Sequence, residues 1–240
     1  MIDKGPVLIE QTGKGLKAIR GVGILLIVLG IVAAFALSDQ YGFAIASDEC
    51  YSEIHFDEAN PPLGALQAAR ELGRTGYPRL VVFSSLSKRS NVPGMRSGFV
   101  AGDATILKKY LLYRTYHGCA MSLPVQAASV SAWRDEAHVI ENRRLYKLKM
   151  DAALSILQPV CDVERPDAAF YLWLPTTIDD TQFARRLLIE KNVSVLPGSY
   201  LARDSGGANP GRNRVRIALV ASTAECTEAA RRIRDFIESL

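Results

Sequence analysis

The chain has 240 residues and a mass of 26.3 kDa, room for one large domain or two small ones; with 48% hydrophobic and 22% charged residues it is close to the globular average, which excludes a disordered chain, a collagen and a coiled coil. Lys and Arg number 29 against 25 Asp and Glu, and the resulting +4 is spread along the chain, which argues against a nucleic-acid partner. Cys50, Cys119, Cys161 and Cys226 are far apart, with no C-x-x-C pair and no His at zinc-ligand spacing, so no metal centre is expected and they read as reduced, mostly buried thiols of a cytoplasmic protein.

The first feature in chain order is the uncharged run from Gly21 to Ser38, preceded by Lys4, Lys14, Lys17 and Arg20. It has the length and flank of a signal anchor or membrane span, yet a buried strand or helix has the same composition, and periodicity does not separate them. Phe43 to Ser47 then reads as a short buried strand ending at Asp48-Glu49. Pro61-Pro62 opens a helix over Leu63 to Leu72, with Gly73 as its C-terminal cap, and Leu80-Val81-Val82-Phe83 reads as a strand covered on both faces. Strand, helix, strand implies a parallel crossover. Gly98 to Ala101 is a third strand, Thr105 to Trp133 is mostly helical with breaks at Gly118 and Pro124, and Glu136 to Leu157 is one long helix without Gly or Pro. Beyond Pro159 come shorter pieces: strands over 170–174, 193–196 and 214–220, helices over 181–191 and 223–240, and a Gly-, Ser- and Asn-rich loop between Pro197 and Asn213. Trp133 and Trp173 are expected in the core, and His55, His117 and His138 read as ordinary surface or core histidines.

Chemistry gathers in Ser84-Ser85-Leu86-Ser87-Lys88-Arg89-Ser90-Asn91-Val92-Pro93-Gly94-Met95-Arg96-Ser97-Gly98, directly after a buried parallel strand, where the sites of α/β sheets lie. A partly desolvated lysine among small hydroxyl residues can act as an amine nucleophile toward an aldehyde, and serines with an arginine can hold a phosphate.

This segment resembles the cofactor-lysine signature of class I aminotransferases, the fold-type-I enzymes that use pyridoxal 5'-phosphate, departing from it only at Ser97, where the family has an aliphatic residue or alanine. Ser47-Asp48-Glu49-Cys50-Tyr51 resembles the family's S-D-E-x-Y element, and both motifs occur in family order. The resemblance implies that Lys88 is the catalytic lysine, that Asp48 pairs with the pyridinium nitrogen and Tyr51 with the ring oxygen, and that Ser85, Ser87 and Arg96 bind the phosphate. It also implies that Arg216, in the stretch Asn213 to Leu219, takes the substrate α-carboxylate. By the residues alone, Asp48-Glu49 could be a helix-capping or surface acidic pair, although its place after a buried strand favours the pyridinium role, and Arg216 with Arg212 and Arg214 could be a solvated strand face.

The implied fold is α/β: residues 1–34 an unmatched apolar leader, 35–135 part of a large cofactor domain with a mostly parallel sheet, 136–158 a connecting helix, and 159–240 a small α+β domain. From Phe35 on, the chain resembles the succinyldiaminopimelate aminotransferases most, supported by Tyr113 to Gly118 and Pro197-Gly198-Ser199-Tyr200. The implied reaction is amino transfer between glutamate and N-succinyl-2-amino-6-ketopimelate in lysine and diaminopimelate biosynthesis, in a homodimer. Family members are longer and carry an N-terminal half with further cofactor ligands, so Met1 to Ala34 reads as a foreign or frame-shifted leader on a truncated enzyme. Two other readings stand beside it: a non-catalytic binding or dimer partner, and a membrane-anchored protein that uses residues 21–38.

Overall fold

Side-chain pattern explains most of the first unit, residues 1–140 of the two into which the computed structural model divides. Residues 7–8, 20–118 and 120–240 are described, with side chains from residue 30 on; Cys119 and the leader lysines lie outside the described residues. After the two-residue strand β1 (Val7–Leu8), the apolar run forms a helix, α1 (Arg20–Tyr41). Its C-terminal half turns Phe35, 3% exposed, into a core of Ile45, Ala65, Ala68, Ala69, Leu80 and Val82, with Ile31 and Ala34 packed alongside. Burying Phe35 stabilises this docking by about 1.5–3 kcal/mol. Among the described residues no helix is long and apolar enough to cross a membrane, and the side chains of residues 21–29 lie outside them.

The strand β2 (Ile45–Asp48) is followed by α2 (Ala65–Glu71) and β3 (Leu80–Ser85), and β2 pairs parallel with β3 as the crossover requires. Gly73 ends α2 in the left-handed region, at φ 70°, its amide donating to the Arg70 carbonyl at 3.0 Å. A one-turn helix, α3 (Leu86–Arg89), leaves β3, and β4 (Gly98–Gly102) returns antiparallel to it, giving the order β1-β2-β3-β4. Gly102 closes that return at φ 138°, where a Cβ would come within 2.0 Å of the Leu80 carbonyl oxygen, so only glycine fits. Asp103 then caps α4 (Ala104–Tyr116) through the amides of Thr105 and Ile106 and accepts the Arg79 amide at 2.7 Å. The Arg79 amide first, then Thr105, holds its carboxyl below the usual range. The helices α5 (Leu123–Arg134) and α6 (Ala137–Leu157) follow, the latter crossing the division between the units.

The second unit, residues 141–240, is an antiparallel sheet covered by helices. Its elements are β5 (Tyr171–Pro175), α7 (Asp180–Lys191), β6 (Leu196–Pro197), β7 (Arg214–Ala218) and α8 (Thr223–Ile237), in the strand order β5-β7-β6. Leu172, Leu174, Val215 and Ile217 alternate inward from the strands, and Phe183 and Phe236 meet edge to face at 5.1 Å beneath them. Trp173, expected in the core, points the other way and is 39% exposed, because β5 buries its even neighbours. Asp180, 1% exposed, fastens the 197–213 loop by accepting the Ser199 amide at 2.8 Å and the Asn213 amide at 3.3 Å. Burial pushes its carboxyl up, but the Ser199 and Asn213 bonds outweigh that and hold it below the ordinary value.

Candidate active site

Parallel pairing sets Asp48 beside Phe83, and the Glu49 amide donates to the Phe83 carbonyl at 2.8 Å, so β2 and β3 end side by side. Just past that edge, the buried Leu86 plugs the start of α3, its amide bonded to the Ser97 carbonyl at 3.1 Å. One helical turn then carries Ser87 and Lys88, both half-buried. The Lys88 ammonium lies 5.7 Å from the centre of the Tyr51 ring, within cation-π range. Cys50 sits in the middle of the group: its amide donates to Asp48 Oδ1 at 3.1 Å and its Sγ lies 3.5 Å from Ser85 Oγ. Burial pushes the Cys50 thiol up, the Ser85 hydroxyl and the Lys88 charge oppose this, and Asp48 adds to it. The thiol thus feels the predicted ring acid and the predicted lysine together.

The paired acids divide their work. Glu49 Oε1 accepts the Ala65 amide at 2.7 Å and the Ser47 hydroxyl at 3.1 Å, holding the start of α2, while Asp48 is exposed at the strand end. The helix-capping alternative therefore describes Glu49. Arg96 is exposed, in the left-handed region at φ 52°, with Nη1 donating to the Pro93 carbonyl at 2.9 Å. Arg216 belongs to the second unit, where it is half-buried on β7 with its guanidinium stacked 4.6 Å from the centre of the Tyr171 ring. Arg214 shares its face of the strand, and Val215 and Ile217 are buried on the other.

A carboxylate, an amine, a phenol and a half-buried hydroxyl around one strand edge, with a guanidinium at the end of the same signature, are the donor types that a pyridinium nitrogen, an aldehyde, a ring hydroxyl and a phosphate need. The residues present fit pyridoxal phosphate in kind.

Several contributors were invisible in the sequence. Ser97, the one departure from the signature, is buried with its hydroxyl 2.7 Å from that of Ser129; Ser129 donates to the Val125 carbonyl at 2.6 Å, which leaves Ser97 as donor of the pair. Arg89 is 3% exposed, donates to the Ala132 carbonyl at 2.9 Å, pairs with Glu136 and lies 5.1 Å from the centre of the Trp133 ring. His138 joins Asp135 to Ser90. Only the tertiary fold brings residues 129–138 to this segment, and no local pattern announces it.

A family model described as aminotransferase class I and II matches residues 29–233, beginning ahead of Phe35 and inside α1. The chain belongs to the class I and II aminotransferases. Pyridoxal phosphate is the cofactor that this membership implies. A probable aminotransferase of Mycobacterium tuberculosis is 33% identical over 193 residues, 80% of this chain and 44% of that protein. The crystal structure of an aminotransferase from Neisseria meningitidis is 59% identical with a TM-score of 0.81, over 87% of this chain and 53% of that one. A probable N-succinyldiaminopimelate aminotransferase from Thermus thermophilus is 28% identical with a TM-score of 0.73, over 87% and 54%. The expected fold class, part of the large-domain sheet with helices plus a small α+β unit, agrees with these structures. The chain spans about half the length of the curated relatives it matches.

Proposed function

We propose that this chain carries the cofactor-lysine part and the small domain of an aminotransferase that transfers an amino group between glutamate and a keto acid in the cytoplasm. Residues 35–135 serve the cofactor, 136–158 connect, and 159–240 form the small domain. The carrying observation is the neighbourhood of Lys88, Asp48, Tyr51 and Ser85 around Cys50 at the ends of two parallel strands.

In this assignment Asp48 keeps a proton on the ring nitrogen, the Tyr51 hydroxyl bonds the ring oxygen, and Ser85, Ser87 and Arg96 hold the phosphate. The bound cofactor supplies an electron sink for the substrate α-carbon. Lys88 Nζ would hold the bound cofactor at its aldehyde and would be the amine placed to move the proton at the substrate α-carbon. Arg216 receives the α-carboxylate as a bidentate guanidinium. N-succinyl-2-amino-6-ketopimelate is the proposed keto acid, supported by the name of the Thermus thermophilus relative, and the proposed assembly is a homodimer.

Titrating the full chain with pyridoxal phosphate should raise a visible absorption band that glutamate discharges. Borohydride followed by peptide mapping should put the phosphopyridoxyl group on Lys88, and Lys88→Ala should abolish both. No trapping at Lys88 sinks the proposal. One observation favours a second, non-catalytic reading as a binding or dimer partner: α4 buries none of its residues and exposes Leu111, Leu112, Tyr113 and Tyr116. Absence of trapping together with concentration-dependent dimerisation would select that reading.

A further inference from the structure

The residues on either side of the α5–α6 junction grip the segment that follows Lys88. His138 reaches Asp135 Oδ2 through Nδ1 at 2.9 Å and Ser90 Oγ through Nε2 at 2.8 Å. One residue earlier, the buried Arg89 is bonded to the Ala132 carbonyl and Glu136, with Glu53 3.9 Å from its Nε. Ser90 is the residue that ends α3, so these contacts fall at the end of the single turn bearing Lys88.

Aspartate, histidine and serine in line have the outline of an acyl-transfer triad. The Ser90 amide, however, is already bonded to the Leu86 carbonyl at 3.0 Å, which removes the oxyanion donor nearest such a nucleophile. A one-turn helix has almost no hydrogen-bonded length of its own, so its orientation must come from what holds its ends. Holding a reactive side chain in place is the work of such surrounding bonds.

We propose that His138, oriented by Asp135, is a positioning residue that locks the end of α3 through Ser90 and so fixes where the Lys88 amine points. Its meaning for catalysis rests on the assignment of Lys88 as the cofactor lysine.

The test is competitive acetylation of the cofactor-free full chain with acetic anhydride, read by mass spectrometry as labelling of Lys88 relative to the exposed Lys108 and Lys109. His138→Ala should change that ratio roughly two- to tenfold, the range set by one lost hydrogen bond. His138→Gln, whose amide can still bond Ser90, should restore it, and Ser90→Ala should shift it in the same direction as His138→Ala. Circular dichroism and unchanged labelling at Lys108 report an intact fold; if His138→Ala does not fold, the Ser90→Ala ratio decides alone. A ratio unchanged in the alanine variants overturns the proposal, as does failure of glutamine to restore it. If the ratio depends on His138 while pyridoxal phosphate cannot be trapped on Lys88, the lock stands and the aminotransferase assignment falls.

Discussion

Covering divides the two units. In the second, β5, α7, β7 and α8 each bury large side chains completely, among them Leu172, Phe183, Val215 and Phe236. In the first, α4 buries nothing, α5 buries only Ser129, and β4 has no buried residue. Lys88, Asp48 and Arg96 lie in the less covered unit, where strands end at an open edge. Reactive groups need access, and here their order comes from hydrogen bonds and a few plugs such as Leu86 rather than from dense packing.

The sharpest way to break that contrast is to empty the second core. Phe236→Ala should cost about 3–5 kcal/mol in urea unfolding, and a loss below about 1 kcal/mol would show that the second unit is no better packed than the first. Next, Asp180→Ala should cost about 1.5–3 kcal/mol by releasing the amides of Ser199 and Asn213. Hydrogen bonds from the Ser199 and Asn213 amides hold the carboxyl below the ordinary aspartate value in the folded chain, so its stabilisation is present above that ordinary value and fades as pH falls through the lower folded one. The gap between the native chain and Asp180→Asn should therefore narrow on acidification, as followed by thermal melts at stepped pH.

In the first unit, the hydroxyl pair of Ser97 and Ser129 offers a smaller effect. Either serine changed alone to alanine should cost about 1 kcal/mol, and the double variant less than the sum, because it leaves no buried hydroxyl partnerless. An additive cycle would show that the signature's departure at Ser97 is uncompensated. The smallest effect belongs to α4: Leu111→Gln should change stability by no more than about 0.5 kcal/mol, since Leu111 is 69% exposed. A larger loss would mean that this helix is covered in solution.

The sequence made the strands legible at 80–83 and 98–101, which the fold extends to 85 and 102, and likewise the helices α6 and α8, because β-branched runs and unbroken helical stretches announce themselves. It missed α3, which at four residues is too short to show a period. It placed a strand over 193–196 where only Leu196–Pro197 pairs with β7, since edge pairing depends on the neighbour rather than on Val193 and Val195 themselves. The candidate site was legible only as a resemblance, in that Lys88, Asp48 and Tyr51 were named by likeness to the family's motifs. Cys50 between them was not, because a thiol in a variable position of the element carries no signal until the strands are paired.

By itself the chain's order of residues determined the two short runs around Lys88 and Asp48 that resemble the family's motifs, since each is a contiguous pattern. Folding alone decided that Glu49 caps α2 while Asp48 faces the open edge, and that residues 129–138 grip the segment after Lys88. Those assignments join positions far apart in sequence, and partners so separated are chosen by how strands and helices pack rather than by any pattern along the chain.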